Sequence, residues 1–185
     1  MPDTTLPKIT RLATLEKTRI FHIQEVDLRF SNGVEVTFER IAGSQSGAVM
    51  VAAVRESGEI ALIKEYACGT ERYELGLPKG RIDAGETLLD AANRELMEEA
   101  GFRADKLVRL NELTLAPTYS GQRITLVLAQ GLTPERLEGD EPEPLGLEWL
   151  HLDDLDTFAL QERCSEARSL AAMYLVRAYL SAPAE

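Results

Sequence analysis

The chain has 185 residues, 44% of them hydrophobic and 28% charged, with a formal net charge of −11. That composition is the one of an ordinary folded domain, and its acidity argues against nucleic acid or an anionic membrane surface as the main partner. Two cysteines, Cys68 and Cys164, are too few and too far apart for a disulfide framework or a zinc site, which points to a reducing, cytoplasmic setting.

Taken in order, the first residues up to about Leu15 are polar and contain prolines, and the reading expects a loosely held arm. MPDTTLPKIT lacks the apolar stretch of a signal peptide, and no apolar run is long enough to span a bilayer. Ile20 to Phe30 reads as a strand, with Val26, Leu28 and Phe30 alternating against Asp27 and Arg29. Ser31-Asn32-Gly33 is a hairpin turn, because Asn-Gly accepts positive φ cheaply, and Val34, Val36 and Phe38 alternate again after it. Ala42 to Gly47 is a flexible connection. A lone hairpin is marginal in water, so this one needs a partner surface, on its own chain or on a second subunit.

Ala48 to Val54 is apolar throughout and is expected to be a strand buried on both faces. Glu59 to Tyr66 follows as a second strand after Glu56-Ser57-Gly58. Tyr73 to Leu75 is a short strand, and Gly76-Leu77-Pro78-Lys79-Gly80 bends the chain toward a long helix. Lys106–Leu115 and Gln122–Gln130 are expected strands around a loop at Ala116–Gly121. Leu145–Leu152 is another strand and Asp153–Leu160 a brief helix. Ser165 to Leu180 is read as an amphipathic helix with Leu170, Ala171, Tyr174, Leu175 and Ala178 on one face. The expected fold is α/β: an α/β/α sandwich with a mixed sheet, plus an N-terminal antiparallel β-hairpin arm. Residues 1–45 form the arm and 46–185 the main domain.

The stretch from Gly80 to Phe102, GRIDAGETLLDAANRELMEEAGF, carries the chemistry. Glu86 and Thr87 open a helix that Gly101 ends in the left-handed conformation. Leu89, Ala92, Leu96 and Ala100 fall at helical spacing and are expected to face a core. Glu95, Glu98 and Glu99 share another stripe. Carboxylates at that spacing repel, by about 0.2–0.5 kcal/mol per pair. They also stand at the end of the helix where the macrodipole disfavours anions by roughly 0.3–1 kcal/mol each. A hard divalent cation, which prefers oxygen ligands, is the simplest compensation. A merely solvated acidic face is the competing reading of Glu98-Glu99 taken alone.

The whole spaced pattern (Gly80, Glu86, Arg94-Glu95-Leu96, Glu98-Glu99, Gly101) resembles the signature box of the Nudix hydrolases, which cleave nucleoside diphosphates linked to another moiety. Phe102 departs from it, since an aliphatic residue is more usual there. The resemblance implies Mg²⁺, with Mn²⁺ as a possible substitute, held by Glu95, Glu98 and Glu99, with the main-chain carbonyl of Lys79 joining them. Glu98 is also a candidate catalytic group. Arg94 and Glu86 match positions that pair with and orient the ligands; a plain i,i+4 ion pair of Arg94 with Glu98 is the simpler alternative. In related ADP-ribose-cleaving enzymes a loop glutamate acts as base, and the acidic loop Glu138-Gly139-Asp140-Glu141-Pro142-Glu143 supplies Glu141 first and Glu143 second. A solvated loop is the alternative.

Pro117 lies about where ADP-ribose-preferring members carry a proline, with Tyr119 beside it. Arg40 and Arg72 are candidates for phosphate or ribose contacts, or are surface arginines. KEYACGTERYELGLPKG and LEGDEPEPL extend the likeness, over nearly the whole chain, to members of the family that act on ADP compounds. It implies cleavage of ADP-ribose, NADH and diadenosine polyphosphates with release of AMP, and a homodimer formed through the N-terminal sheet. A GDP-sugar or other nucleotide-sugar pyrophosphatase is the alternative enzyme, and a silent ADP-ribose sensor the alternative outside catalysis. Such sensors commonly lose box glutamates, and all are present here.

Overall fold

The computed structural model describes residues 5–44 and 46–183; Met1–Thr4, Gln45 and the last two residues lie outside the described part. The chain divides into two compact units, residues 1–45 with 114–123, and residues 46–113 with 124–185.

The first unit is a three-stranded antiparallel sheet in the order β1-β2-β3, with β1 at Lys8–Lys17, β2 at His22–Arg29 and β3 at Glu35–Ile41. The expected hairpin is β2–β3, and its turn is the expected one, with Gly33 at φ 84°. The loosely held arm is corrected to a strand: Lys8–Lys17 pairs along the whole of β2. Irregular register between Ile9 and Arg11, and between Thr14 and Glu16, breaks the alternation by which such a strand is recognised. Register puts Ile9, Leu28 and Val36 on one face with Leu12, Val26 and Phe38. The opposite face is polar, with Arg11 paired to Asp27 and Glu25. Residues 114–123 join this sheet through Ile41, which donates to the Tyr119 carbonyl and accepts from Gly121 N–H, both at 2.8 Å.

The second unit contains β4 (Ala48–Ala53), β5 (Glu59–Ala67), β6 (Arg72–Gly76) and β7 (Lys79–Arg81), then α1 (Leu88–Glu95). β8 (Phe102–Thr114), β9 (Arg123–Pro134), β10 (Gly146–His151), α2 (Leu155–Ala159) and α3 (Ala167–Ser181) follow. One sheet runs β7-β4-β9-β8 and is mixed, since β4 is antiparallel to β7 and parallel to β9; the other runs β10-β5-β6. Both faces of β4 are buried, as its unbroken apolar sequence requires. Met50, Ala52 and Val54 pack with Leu126, Leu155, Met173 and Val176, whereas Val49, Val51 and Ala53 pack with Ala91, Ala92, Leu96 and Ala100. Strands lie between α1 on one side and α2 and α3 on the other, which is the expected sandwich.

Two helix faces differ from expectation. Leu89 is exposed, and Ala91 takes its place in the core beside Ala92. In α3 the buried side chains are Ser169, Ala172, Met173 and Val176, while Ala171, Tyr174 and Ala178 face outward. The helix is apolar nearly all round, so the period of its sequence does not select a face.

Candidate active site

Gly80 and the three box glutamates are brought together by a strand and a helix whose ends are locally fixed. β7 is short and edge-paired to β4, with Val49 opposite Gly80 and Met50 opposite Lys79. Just before it, the buried hydroxyl of Ser169 on α3 accepts from Leu77 N–H at 3.0 Å. Ser169 in turn donates to Glu166, the residue capping the start of α3. α1 starts at Thr87, whose hydroxyl accepts from Asp90 N–H. After Glu95 the coil widens into a π-helical turn, Leu96–Ala100, closed by Gly101 N–H donating to the Leu96 carbonyl with Gly101 at φ 77°. Sequence periodicity does not reveal such a turn, and it shifts side chains relative to an ordinary α-helix. Phe102, the atypical position, packs edge-on against Trp149, and Arg55 lies 3.4 Å over the Trp149 ring.

Glu95, Glu98 and Glu99 line one open pocket of about 640 Å³ with Lys79, Gly80, Arg94, Glu65 and the loop from Glu138 to Pro142. Glu95 and Glu99 are buried, at 8% and 5% exposure. Burial is the main influence on both and pushes both carboxyls upward, Glu99 to about 8. The neighbouring Lys79, through its charge and through its N–H donating to Glu99 at 2.9 Å, acts in the opposite direction without prevailing. Gly80 leaves the space that the Glu95 carboxylate occupies, for a Cβ there would collide with it.

Arg94 sits among the acids. Its guanidinium donates to both carboxylate oxygens of Glu86 at 2.9 and 3.0 Å, to Glu95 at 2.8 Å, to Glu98 at 2.9 Å and to the Arg81 carbonyl at 2.9 Å. Bonding from Arg94 holds the Glu86 carboxyl below its ordinary range. Arg94 thus makes the expected i,i+4 pair with Glu98 and bonds Glu86 and Glu95 as well. Among the described residues no three His, Cys, Asp or Glu side chains converge closely enough to hold a metal ion as they stand. Glu95 and Glu98 are engaged by Arg94, whereas Glu99 accepts from Lys79 N–H. The donors themselves fit a hard cation: they are all oxygen, and Glu99 is buried where a positive charge would favour its ionised form.

Glu141 lines the same pocket, and its charge contributes to raising Glu95. Glu143 does not line it; its carboxylate accepts from the Tyr73 hydroxyl at 2.5 Å. Arg40, Pro117 and Tyr119 come together in the first unit, lining a pocket of about 340 Å³ with Val26, Leu28 and Phe38. Arg72 is not among the residues of either pocket; it donates to Glu74 and Ser165. Sequence does not single out Glu65: it lies within β5, outside the box, and accepts from the Lys79 ammonium at 2.8 Å. Arg136, which donates to the Glu98 carbonyl at 3.2 Å, was also missed, because only folding carries it to the end of the helix.

The NUDIX domain family matches residues 44–172, and the NudE-type Nudix hydrolase N-terminal domain matches residues 7–40. The chain belongs to the Nudix hydrolases and is an enzyme of that family. It is 46% identical over 178 residues to the ADP compounds hydrolase NudE of Escherichia coli strain K12, covering 94% of this chain and 93% of the relative. It is 31% identical over 147 residues to an ADP-ribose pyrophosphatase of Bacillus subtilis, with 76% and 79% covered. A crystal structure of an ADP compounds hydrolase superposes with a TM-score of 0.87 at 44% identity, covering 94% of each chain. Among the described residues, no helix is long and apolar enough to cross a membrane.

Proposed function

We propose that the protein hydrolyses the pyrophosphate bond of ADP-linked metabolites (ADP-ribose, NADH and diadenosine polyphosphates), releasing AMP. The observation that carries this reading is the gathering of Glu95, Glu98, Glu99 and Glu141 in one open pocket. The names of the relatives from E. coli and B. subtilis support the substrate class.

Mg²⁺, or Mn²⁺ in its place, would be held by Glu95, Glu98 and Glu99 with the Lys79 carbonyl, and when bound it neutralises phosphoryl oxygens and activates water. The remaining work falls to the chain's own groups. Arg94, braced by Glu86, fixes the orientation of Glu95 and Glu98 and counters their charge. Glu141 takes the proton of the attacking water, a role within reach of a carboxylate on a loop at the pocket's edge. Arg40, Pro117 and Tyr119 bind the nucleoside part; Arg72, engaged with Glu74 and Ser165, is left out of that set. Residues 1–45 form an element through which two copies assemble into a homodimer, a reading supported by the exposed Ile9, Leu12, Val36 and Phe38 on one face.

The test is a side-by-side assay of ADP-ribose, NADH, diadenosine triphosphate and GDP-mannose, with and without Mg²⁺, with products identified. AMP release from the ADP-linked compounds, abolished by chelation and restored by Mg²⁺, is expected. Preference for GDP-mannose, or turnover that survives chelation, overturns the reading.

A further inference from the structure

The acidic segment over the pocket is held at both of its ends, and by different chemistry. At its start, three polar contacts tie it to the end of the box helix. Glu135 N–H donates to the Gly101 carbonyl at 3.0 Å, Leu137 N–H to the Met97 carbonyl at 3.3 Å, and Arg136 to the Glu98 carbonyl at 3.2 Å. These satisfy carbonyls that a helix end otherwise leaves to solvent. Between the anchors run Glu138, Gly139, Asp140, Glu141 and Pro142, all lining the pocket. Gly139 leaves room for the carboxylate of Glu141, which folds back over it. At its far end the segment is anchored to the neighbouring hairpin by the Tyr73 hydroxyl, which donates to Glu143 at 2.5 Å.

Tyr73 is itself fixed. It stands opposite Tyr66 on the β5–β6 ladder, their rings edge-on at 5.6 Å, and the Lys64 ammonium lies 5.8 Å from its ring centre. Glu143 lies between Pro142 and Pro144, whose rings remove φ freedom on both sides. Tyr73 and Glu143 are both solvent-accessible and outside the core.

We propose that Tyr73 and Glu143 form a latch that closes the far end of the acidic segment and sets the position of Glu141 over the glutamate cluster. Glu143 is then a positioning residue and not a base, and Tyr73 a positioning residue on a strand outside the box. The catalytic consequence rests on the assignment of Glu141 as the base; the latch itself does not.

Two readouts on the full-length protein separate these. The first is the rate of cleavage after Glu138 by a glutamate-specific protease, which reports opening of the segment without reference to turnover. The second is a double-variant kinetic cycle with Mg²⁺ and ADP-ribose. Tyr73→Phe and Glu143→Ala should each speed cleavage and lower kcat by about ten- to a hundredfold, the scale of a misplaced catalytic group, with KM little changed. Combining them should add nothing, because both remove one contact. Glu143→Gln, whose amide oxygen still accepts from the phenol, should recover most of the protection and turnover that Glu143→Ala loses. Protease sensitivity unmoved by Tyr73→Phe, losses that multiply, or a Glu143→Gln variant as poor as Glu143→Ala overturns the latch. If Glu141→Gln proves fully active while Tyr73→Phe still exposes the segment, the latch stands and the base assignment falls.

Discussion

Gly80 and Glu95 share a volume that only the absence of a side chain makes available: the Glu95 carboxylate fills the place where a Cβ on Gly80 would be. A glycine on a short strand thus decides where an acid on the next helix points. Gly80→Ala should displace that carboxylate and cost about 1–3 kcal/mol, as overpacking does. It should also raise the Mg²⁺ concentration needed for activity. Gly69→Ala, where an added Cβ meets nothing within 4 Å, serves as the neutral comparison. An unchanged Mg²⁺ titration in Gly80→Ala would show that Glu95 does not depend on this space.

Glu99 is buried and carries a carboxyl raised to about 8 by loss of solvent, so its negative charge is a burden on the fold without a cation. Glu99→Gln keeps the size and the acceptor for Lys79 N–H. Thermal stability of the metal-free variant should match or exceed that of the parent, while kcat falls by at least about a hundredfold. Unfolding of the variant would instead make Glu99 structural.

Arg94 serves Glu86, Glu95, Glu98 and the Arg81 carbonyl at once, which a planar guanidinium can do and a compact ammonium cannot. Arg94→Lys should lose about 1.5–3 kcal/mol of stability, the scale of charged hydrogen bonds left unmade. Its Mg²⁺ requirement should rise roughly 10- to 100-fold, as when the support of a metal ligand is removed. Equal Mg²⁺ dependence in parent and variant refutes that supporting role.

Acid sensitivity has a separate origin in Glu166. Burial raises its carboxyl, but bonding to Arg168 and Ser169 outweighs this and leaves it below its ordinary value of 4.5. A lowered folded value means that its stabilisation is present above pH 4.5 and is lost as pH falls through the folded value. Glu166→Gln should cost about 1 kcal/mol at neutral pH, as loss of a cap does, and flatten the acid limb of the stability profile. Denaturation midpoints measured from pH 3 to pH 7 test the sign; an acid limb as steep as the parent's rejects it.

The apolar face of the first unit gives a test of assembly. Leu12 is half exposed and lies outside the pocket that holds Arg40 and Tyr119. Leu12→Asp should convert a dimer to monomers by sedimentation, with the second unit still folded. A parent protein that already sediments as a monomer removes the dimer proposal.

Much of the fold was legible because its devices are local. The Asn-Gly turn, the unbroken apolar run of β4 and the Gly101 cap each follow from residues adjacent in sequence. The box glutamates were recognisable from the whole spaced pattern between Gly80 and Gly101, since acids on a helix taken alone read equally as a solvated face. What escaped depends on distant partners or on backbone geometry. β1 was hidden by its irregular register, the widened turn at Leu96–Ala100 leaves no mark in periodicity, and Leu89 followed the helical spacing yet faces solvent. Arg136 and Tyr73 acquire meaning only when folding carries them to a helix end and to a loop.

The segment between β8 and β9 depends on Ile41, whose two backbone bonds grip it from either side, and on the close approach of Gly43 and Gly121, where no side chain fits. The amino-terminal sheet is therefore not a detachable appendage. Trimming the gene to the downstream fold would strip Pro117 and Tyr119 of their scaffold, because the segment that carries them is bonded to Ile41. Fusion partners and crystallisation variants of this chain are best designed with that continuity intact.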